Sequence, residues 1–307
     1  MTRKGFISIF TPTYNRAAFL PSLAGMLLEQ SCKSFEWIIV NDGSTDGTEE
    51  TVRELIGRGD LPIRYFSKPN GGKHSAFKIA LEAAEGEFFL CMDDDDSYSR
   101  ESVETFLYEW KKVTDPRVGA LRTLTLDEEG RVMGKDPGKK GWYERSTLSQ
   151  RYLHGIIQEN WTCYRTDALR SVDLFPDGYW LGDRHRFYAE ELWQGRFARK
   201  FRCRYLPVAL RCWSTKAPVS LTRAEKGEQQ LLDRFLNNKL LLDEQYDWLC
   251  LRPFTLLRTA ARVNLLRRRL GFPLRVLLGN TRSFLLKIVY VCTVPAVWLS
   301  GIMKFNV

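Results

Sequence analysis

Over its first hundred residues the chain alternates short apolar runs with longer stretches whose apolar positions recur at helical spacing. Phe6-Ile7-Ser8-Ile9-Phe10 predicts a first strand, halted by the proline and asparagine of Thr11-Pro12-Thr13-Tyr14-Asn15-Arg16. A helix over residues 21–30 follows, then a strand over Phe35-Glu36-Trp37-Ile38-Ile39-Val40. That strand breaks at Asn41-Asp42-Gly43-Ser44-Thr45-Asp46, a turn rich in helix-capping residues, and a helix over 48–56 begins there. The pattern repeats with a strand over 63–66, the Asn70-Gly71-Gly72 turn, a helix over 74–84 and a strand over 88–92.

Strands that alternate with helices imply right-handed crossovers and a mostly parallel α/β sheet. Ligands of such sheets bind outside the carboxyl ends of the strands. Three polar segments fall at those ends, 11–16, 41–46 and 93–96, and their shared position makes them one candidate site.

Beyond residue 98 the pattern loosens. It predicts a helix over 99–113, a strand over 118–126, a hairpin turn at Asp127-Glu128-Glu129-Gly130, a loop over 135–140 and a short strand over 161–165. A helix over 187–200 carries Leu192, Trp193 and Phe197 on a core-facing stripe with Phe201 just past its end, and an amphipathic helix over 221–246 closes the globule.

The chemistry concentrates where Phe88-Phe89-Leu90-Cys91-Met92 runs into Asp93, Asp94, Asp95 and Asp96. Four adjacent carboxylates repel one another, so the fold tolerates them best beside a cation or a basic side chain. Their oxygens are hard ligands suited to Mg2+ or Mn2+, which protein carboxylates commonly share with substrate phosphates and water. An extended backbone sends Asp93 and Asp95 to one side and Asp94 away from it, so Asp94 is expected to matter least. Asp96 is either a second ligand or a helix cap. Neither GxGxxG nor GxxxxGK[ST] occurs, so a phosphate here needs a carboxylate-held cation rather than a glycine-rich cradle.

Net charge changes the picture only at the far end. The 307 residues carry +9 overall, yet residues 248–307 hold ten Lys or Arg and no Asp or Glu, leaving 36 basic against 37 acidic residues before them. Arg258, Arg262 and Arg269 share a helical face, and Arg267 and Arg268 thicken the cluster beside Leu265, Leu266 and Leu270. A basic, acid-free amphipathic segment of this kind suits an anionic membrane surface, and the interleaved aliphatic runs argue against nucleic acid. Residues 288–303 are uncharged but contain Pro295 and fall short of a full span, so an interfacial anchor is expected. Seven cysteines without a CxxC pair, and a start that enters a strand directly, lead to the expectation of reduced, mostly buried thiols in a protein that is not exported.

With those segments in place, the chain resembles the family 2 nucleotide-sugar glycosyltransferases of the GT-A fold. The resemblance rests on Thr11-Pro12-Thr13-Tyr14-Asn15-Arg16, Asn41-Asp42-Gly43-Ser44-Thr45-Asp46, Asn70-Gly71-Gly72-Lys73-His74 and the four aspartates, in order. A weaker match runs from Phe175-Pro176 through Gly182 and Glu190 to Tyr205-Leu206; where many relatives carry Ala-x-Asn, this chain has Ala76-Phe77-Lys78.

The resemblance implies a Rossmann-like α/β sandwich over residues 1–220, with a nucleotide-binding half (1–98) and an acceptor-binding half (99–220), and a helical membrane-associating tail over 221–307. It implies transfer, with inversion, from a nucleoside diphosphate sugar, UDP-linked above all, to a lipid-linked or cell-surface glycan at the cytoplasmic face of the membrane. Asp42 would read the base, Thr11, Pro12 and Tyr14 would wall its pocket, Arg16 and Lys73 would meet the phosphates and Asp93 the ribose. Asp95, with Asp96, would hold Mn2+ or Mg2+. For the base that takes the acceptor proton the candidates are Glu190, Asp183 and Glu191. A nucleotidyltransferase of similar topology and an inactive membrane scaffold are the alternatives.

Overall fold

The computed structural model describes residues 2–134, 141–175, 187–214 and 227–302, without the side chains of 296–302. Four strands build the first half of the sheet: β1 (Arg3–Thr13), β2 (Phe35–Asn41), β3 (Ile63–Ser67) and β4 (Gly86–Cys91). They lie in the order β3-β2-β1-β4, all parallel, with α1 (Leu20–Leu28), α2 (Thr48–Arg58) and α3 (Lys73–Ala83) as crossovers. β2 is buried along its whole length, as expected of a strand covered on both faces. On one face Ile7, Ile9, Trp37 and Leu90 pack with Leu23 and Leu27 of α1; on the other Phe10, Phe77 and Phe89 form a ring cluster with centroids 5.1 to 5.9 Å apart.

The second half comprises β5 (Ser97–Tyr98), α4 (Ser102–Lys111), β6 (Val118–Leu126), β7 (Tyr143–Arg145), α5 (Thr147–Tyr152), β8 (Asn160–Arg165), α6 (Thr166–Arg170), α7 (Glu190–Lys200) and β9 (Arg202–Cys212). The sheet continues β4-β8-β6-β9-β5, with β7 on β9. Here the expected mostly parallel sheet is corrected to a mixed one. β8 runs antiparallel to both β4 and β6, β5 and β7 run antiparallel to β9, and only β6 and β9 pair in parallel. Apolar periodicity locates a strand but carries no information on its direction, which neighbouring strands decide.

By contact density the chain divides into two units, Met1–Leu174 with Arg196–Leu221, and Phe175–Gly195 with Thr222–Val307. The second unit thus takes in more than a tail beginning at 221. Asn237 of α8 (Glu228–Leu249) explains this, because its Oδ1 accepts from the Ala189 N–H at 3.0 Å and its Nδ2 donates to the Phe187 carbonyl at 2.7 Å. Gln245 likewise donates to the Glu191 carbonyl at 3.2 Å. The unit continues with α9 (Pro253–Arg269), α10 (Leu274–Gly279) and α11 (Phe284–Ile302). Among the described residues no helix is long and apolar enough to cross a membrane. Leu192, Trp193 and Phe197 are buried, as their stripe predicted. The expected loop over 135–140 lies outside the described residues. Of the seven cysteines only Cys163 and Cys203 are fully buried, a correction to the expectation for the thiols.

Candidate active site

The carboxyl ends of β2, β1 and β4 are adjacent, and the three segments that follow them lock together. Asn15, at φ 53°, turns its Oδ1 toward the Thr45 N–H at 2.7 Å and presents its own N–H to Ser44 Oγ at 2.9 Å. Asparagine tolerates this left-handed conformation better than most residues. The Ala17 N–H reaches Asp46 Oδ2 at 3.1 Å, and the Asp42 N–H reaches the Thr13 carbonyl at 2.9 Å.

Asp42, buried at the end of β2, grips the next turn. Its Oδ1 accepts from the Gly71 N–H at 2.9 Å and its Oδ2 from the Gly72 N–H at 2.7 Å, while Lys68 donates to Oδ1. The Asn70 amide returns to the Asp42 carbonyl at 3.0 Å. Gly43 has to be glycine: at φ 78° a Cβ would stand 2.6 Å from the Asn70 backbone nitrogen. The clasp sets the start of α3 and with it Lys73, whose Nζ lies 3.0 Å from Asp93 Oδ1.

β4 stops at Cys91, and Asp94 and Asp95 form a turn leading to β5. Side-chain exposure still alternates: 28% at Asp93, 1% at Asp94, 19% at Asp95 and 1% at Asp96. Each aspartate has a basic partner. Arg16 Nη1 sits 2.6 Å from Asp94 Oδ1 and 2.8 Å from Asp95 Oδ2. Arg211, on β9, donates from Nε to Asp96 Oδ2 at 2.6 Å and approaches Asp93 Oδ2 at 3.8 Å.

Asp94 is buried where Asp93 and Asp95 are part-exposed, yet it shares Arg16 with Asp95 and accepts from Thr13 Oγ1 at 3.1 Å, tying the β4 turn to β1. Asp96 caps no helix. α4 begins after Glu101, and the second oxygen of Asp96 accepts from the Ser214 N–H at 3.1 Å.

Burial and charge divide the four. Burial pushes the Asp94 carboxyl up to about 6, opposed by Arg16 and reinforced by Asp95 and Asp93. Burial likewise lifts Asp96 to about 6 against the pull of Arg211. For Asp93, burial is outweighed by Lys73 and then Arg211, which hold it down to about 2. Lys73 and Arg211 thus favour the ionised form of Asp93, while burial raises the two buried carboxyls, which still sit in ion pairs with Arg16 and Arg211.

The accessible carboxylates, Asp93 and Asp95, have the chemistry a hard divalent cation takes, but among the described residues no group of three or more His, Cys, Asp or Glu side chains is placed to hold a metal ion. One or two protein oxygens with a diphosphate and water is the usual arrangement for Mg2+.

The remaining predicted residues fall in different places. Thr11 is wholly buried and accepts from Trp37 Nε1 at 2.9 Å, so its side chain faces the core rather than a pocket. Pro12 is half-buried and Tyr14 exposed at 44%, free to lie against a planar group. Glu190 and Glu191 open α7 in the second unit, and Asp183 lies outside the described residues. Trp161 is core, buried against Tyr98 at 4.7 Å and donating to the Cys91 carbonyl at 2.7 Å. Sequence reasoning missed Arg211. Its only signal was a lone arginine in the run Leu210-Arg211-Cys212-Trp213.

The family model for glycosyl transferase family 2 matches residues 8–172, more than half of the chain and all of the strand-end segments. The chain belongs to glycosyl transferase family 2. Arg211 and Glu190 lie beyond the match. This family 2 chain is 37% identical to the hyaluronan synthase of Pasteurella multocida over 112 residues, 36% of this chain and 11% of the synthase. It is 32% identical to the poly(ribitol-phosphate) beta-N-acetylglucosaminyltransferase TarS of Staphylococcus aureus over 173 residues, 55% of this chain and 29% of TarS. It thus spans only a fraction of the length of the curated relatives it matches. The crystal structure of S. aureus TarS 1-349 with UDP-GlcNAc superposes with a TM-score of 0.64 at 19% identity, covering 97% of this chain and 92% of that one. The mannosyltransferase PcManGT from Pyrobaculum calidifontis, with GDP-Man and Mn2+, gives 0.52 at 16% identity, covering 98% and 88%. At these identities the structures establish the shared fold.

Proposed function

We propose that this family 2 chain moves a sugar from a UDP-sugar to a lipid-linked or cell-surface glycan, with inversion at the anomeric carbon. The observation that carries the reading is the junction at the ends of β2, β1 and β4, where Asp42, Arg16 and the accessible carboxylates of Asp93 and Asp95 converge through one hydrogen-bonded network. The preference for UDP is supported by the likeness to TarS, whose structure carries UDP-GlcNAc.

Asp42, with Lys68, Gly71 and Gly72 already on its oxygens, is rigid and retains acceptor capacity at Oδ2 for a base N–H. Tyr14 supplies an exposed ring one residue past the β1–β2 pairing of Thr13 with Asn41, as Asp42 is on the β2 side. Asp93, kept ionised, suits a ribose hydroxyl. Arg16 and Lys73 bring positive charge to the strand ends, where a diphosphate would gain from it. Asp95, with Asp93 rather than the buried Asp96, would hold Mn2+ or Mg2+, which would offset charge developing on the departing diphosphate. The acceptor hydroxyl gives its proton to a carboxylate on the opposite face of the sugar. Glu190, Glu191 and Asp183 are the candidates by family resemblance, with Glu190 preferred.

A thermal-shift screen of nucleotide sugars with and without Mn2+ tests the reading, because only a ligand bound to the folded state raises the melting temperature. Stabilisation by a UDP-sugar that depends on Mn2+ is expected. Stabilisation by none, or by a nucleoside triphosphate alone, overturns it.

A further inference from the structure

The second unit leaves an unpartnered apolar face. α11 carries a single charge, Lys287, in an otherwise largely apolar sequence, and a helix of that kind is normally buried on most sides. Over 284–295 the described residues cover only one side. Leu286, Tyr290 and Thr293 are buried, and Asn264 of α9 clamps that side by donating to the Tyr290 carbonyl and to Thr293 Oγ1, each at 2.9 Å. On the opposite side Phe284 (74% exposed), Leu285 (62%), Ile288 (44%) and Val291 (50%) follow one another at the spacing of a single helix face, with Cys292 and Pro295 extending it. α9 adds Phe254, exposed at 88%, and Leu257. Exposed apolar patches of this kind mark an interaction surface.

The charge around the patch selects the partner. Residues 248–307 contain ten Lys or Arg and no Asp or Glu, and Arg258, Arg262, Arg269, Arg275 and Arg282 are all exposed on this unit. Two copies of such a surface would bring like charges together. An apolar stripe in a segment whose charges are all cations matches a lipid leaflet, whose acyl region takes Phe and Ile and whose anionic headgroups take Arg. Among the described residues no helix is long and apolar enough to cross a membrane, and the one-sided stripe over 284–295 suits the headgroup boundary.

We propose that the exposed face of α11, together with the exposed arginines of α9, α10 and the 280–283 connection, docks on an anionic lipid surface. Phe284, Ile288 and Val291 enter the leaflet and the arginines hold phosphates. The inference stands on the second unit alone and does not rest on the donor reading.

The test is flotation of the full chain with vesicles of phosphatidylcholine, pure or mixed with phosphatidylglycerol, at low and high salt. Flotation with the mixed vesicles, weakened by salt, is expected. Ile288→Glu with Val291→Glu should lower binding by more than about tenfold, since each removes a buried aliphatic side chain from the leaflet. Arg275→Glu with Arg282→Glu should lower it by reversing charge. Unchanged melting temperatures keep both variants interpretable. Failure to float with mixed vesicles at low salt overturns the proposal, as does equal flotation of wild type and the Ile288/Val291 variant. A dimer in ultracentrifugation that this variant dissolves, without vesicle capture, assigns the face to a second copy and also overturns it.

Discussion

Arg211 on β9 reaches Asp96 with two guanidinium nitrogens, Nε and Nη2, each 2.6 Å from the same carboxylate oxygen. The pair is nearly dry, with side-chain exposures of 12% and 1%, and it straddles the β5–β9 pairing in which Tyr98 faces Arg211. Through it the aspartate turn is braced from the far half of the sheet. Arg211→Ala should therefore cost about 3–5 kcal/mol of stability, because a buried carboxylate loses its counter-charge. Arg211→Lys should recover part of that. Urea unfolding measures both, and a loss within experimental error in the alanine variant would contradict the bracing role.

Asp94 and Asp95 share Arg16 yet should fail in different ways. Asp95 is part-exposed, so Asp95→Ala should leave the unfolding midpoint near that of the wild type while removing Mn2+-dependent UDP-sugar binding in calorimetry. Asp94→Ala takes the acceptor from Thr13 Oγ1 and one of two carboxylates from Arg16, which keeps Asp95, and should lower stability by about 1–3 kcal/mol, the cost of a lost buried acceptor. Identical behaviour of the two variants would refute the division.

The Asp42 clasp offers a backbone readout. Asp42→Ala removes the acceptors of the Gly71 and Gly72 N–H groups, so amide exchange at those two positions should accelerate while the α3 interior stays protected. Donor affinity should fall in the same variant. Unaltered exchange would show that another group holds the turn.

Gly43→Ala tests the same junction sterically. A Cβ 2.6 Å from the Asn70 nitrogen, on a backbone at φ 78°, should destabilise the protein by at least ~1–3 kcal/mol through strain alone. Gly47, which has open space around the Cβ position, serves as the control and should tolerate alanine with little change in the unfolding midpoint.

Glu190→Gln should lower turnover by about 10²–10⁴ without changing UDP-sugar affinity, as removal of a general base does. Glu191→Gln should have a small effect. Equal activity of Glu190→Gln and wild type in a transfer assay would move the assignment to another carboxylate.

The first half of the fold was legible because its signals are local. Each strand from β1 to β4 is an apolar run ended by turn residues, and each appears within a few residues of its predicted position. Family membership was legible for the same reason, since its motifs are the turn residues at the strand ends. β9 was not, because Arg202, Arg204 and Arg211 interrupt its apolar pattern. Arg202 is exposed, but Arg204 and Arg211 are admissible only through partners remote in sequence, such as Glu144, whose Oε1 lies 2.7 Å from Arg204 Nη2.

The sequence by itself determined the alternation of elements, the positions of the carboxylates and the one-sided basic end, all properties of neighbouring residues. Tertiary structure alone decided the direction of β8, the recruitment of Arg211, and which aspartates stay accessible. Those depend on what a folded neighbour supplies: a strand to pair with, a counter-charge in a dry site, or a surface that excludes water.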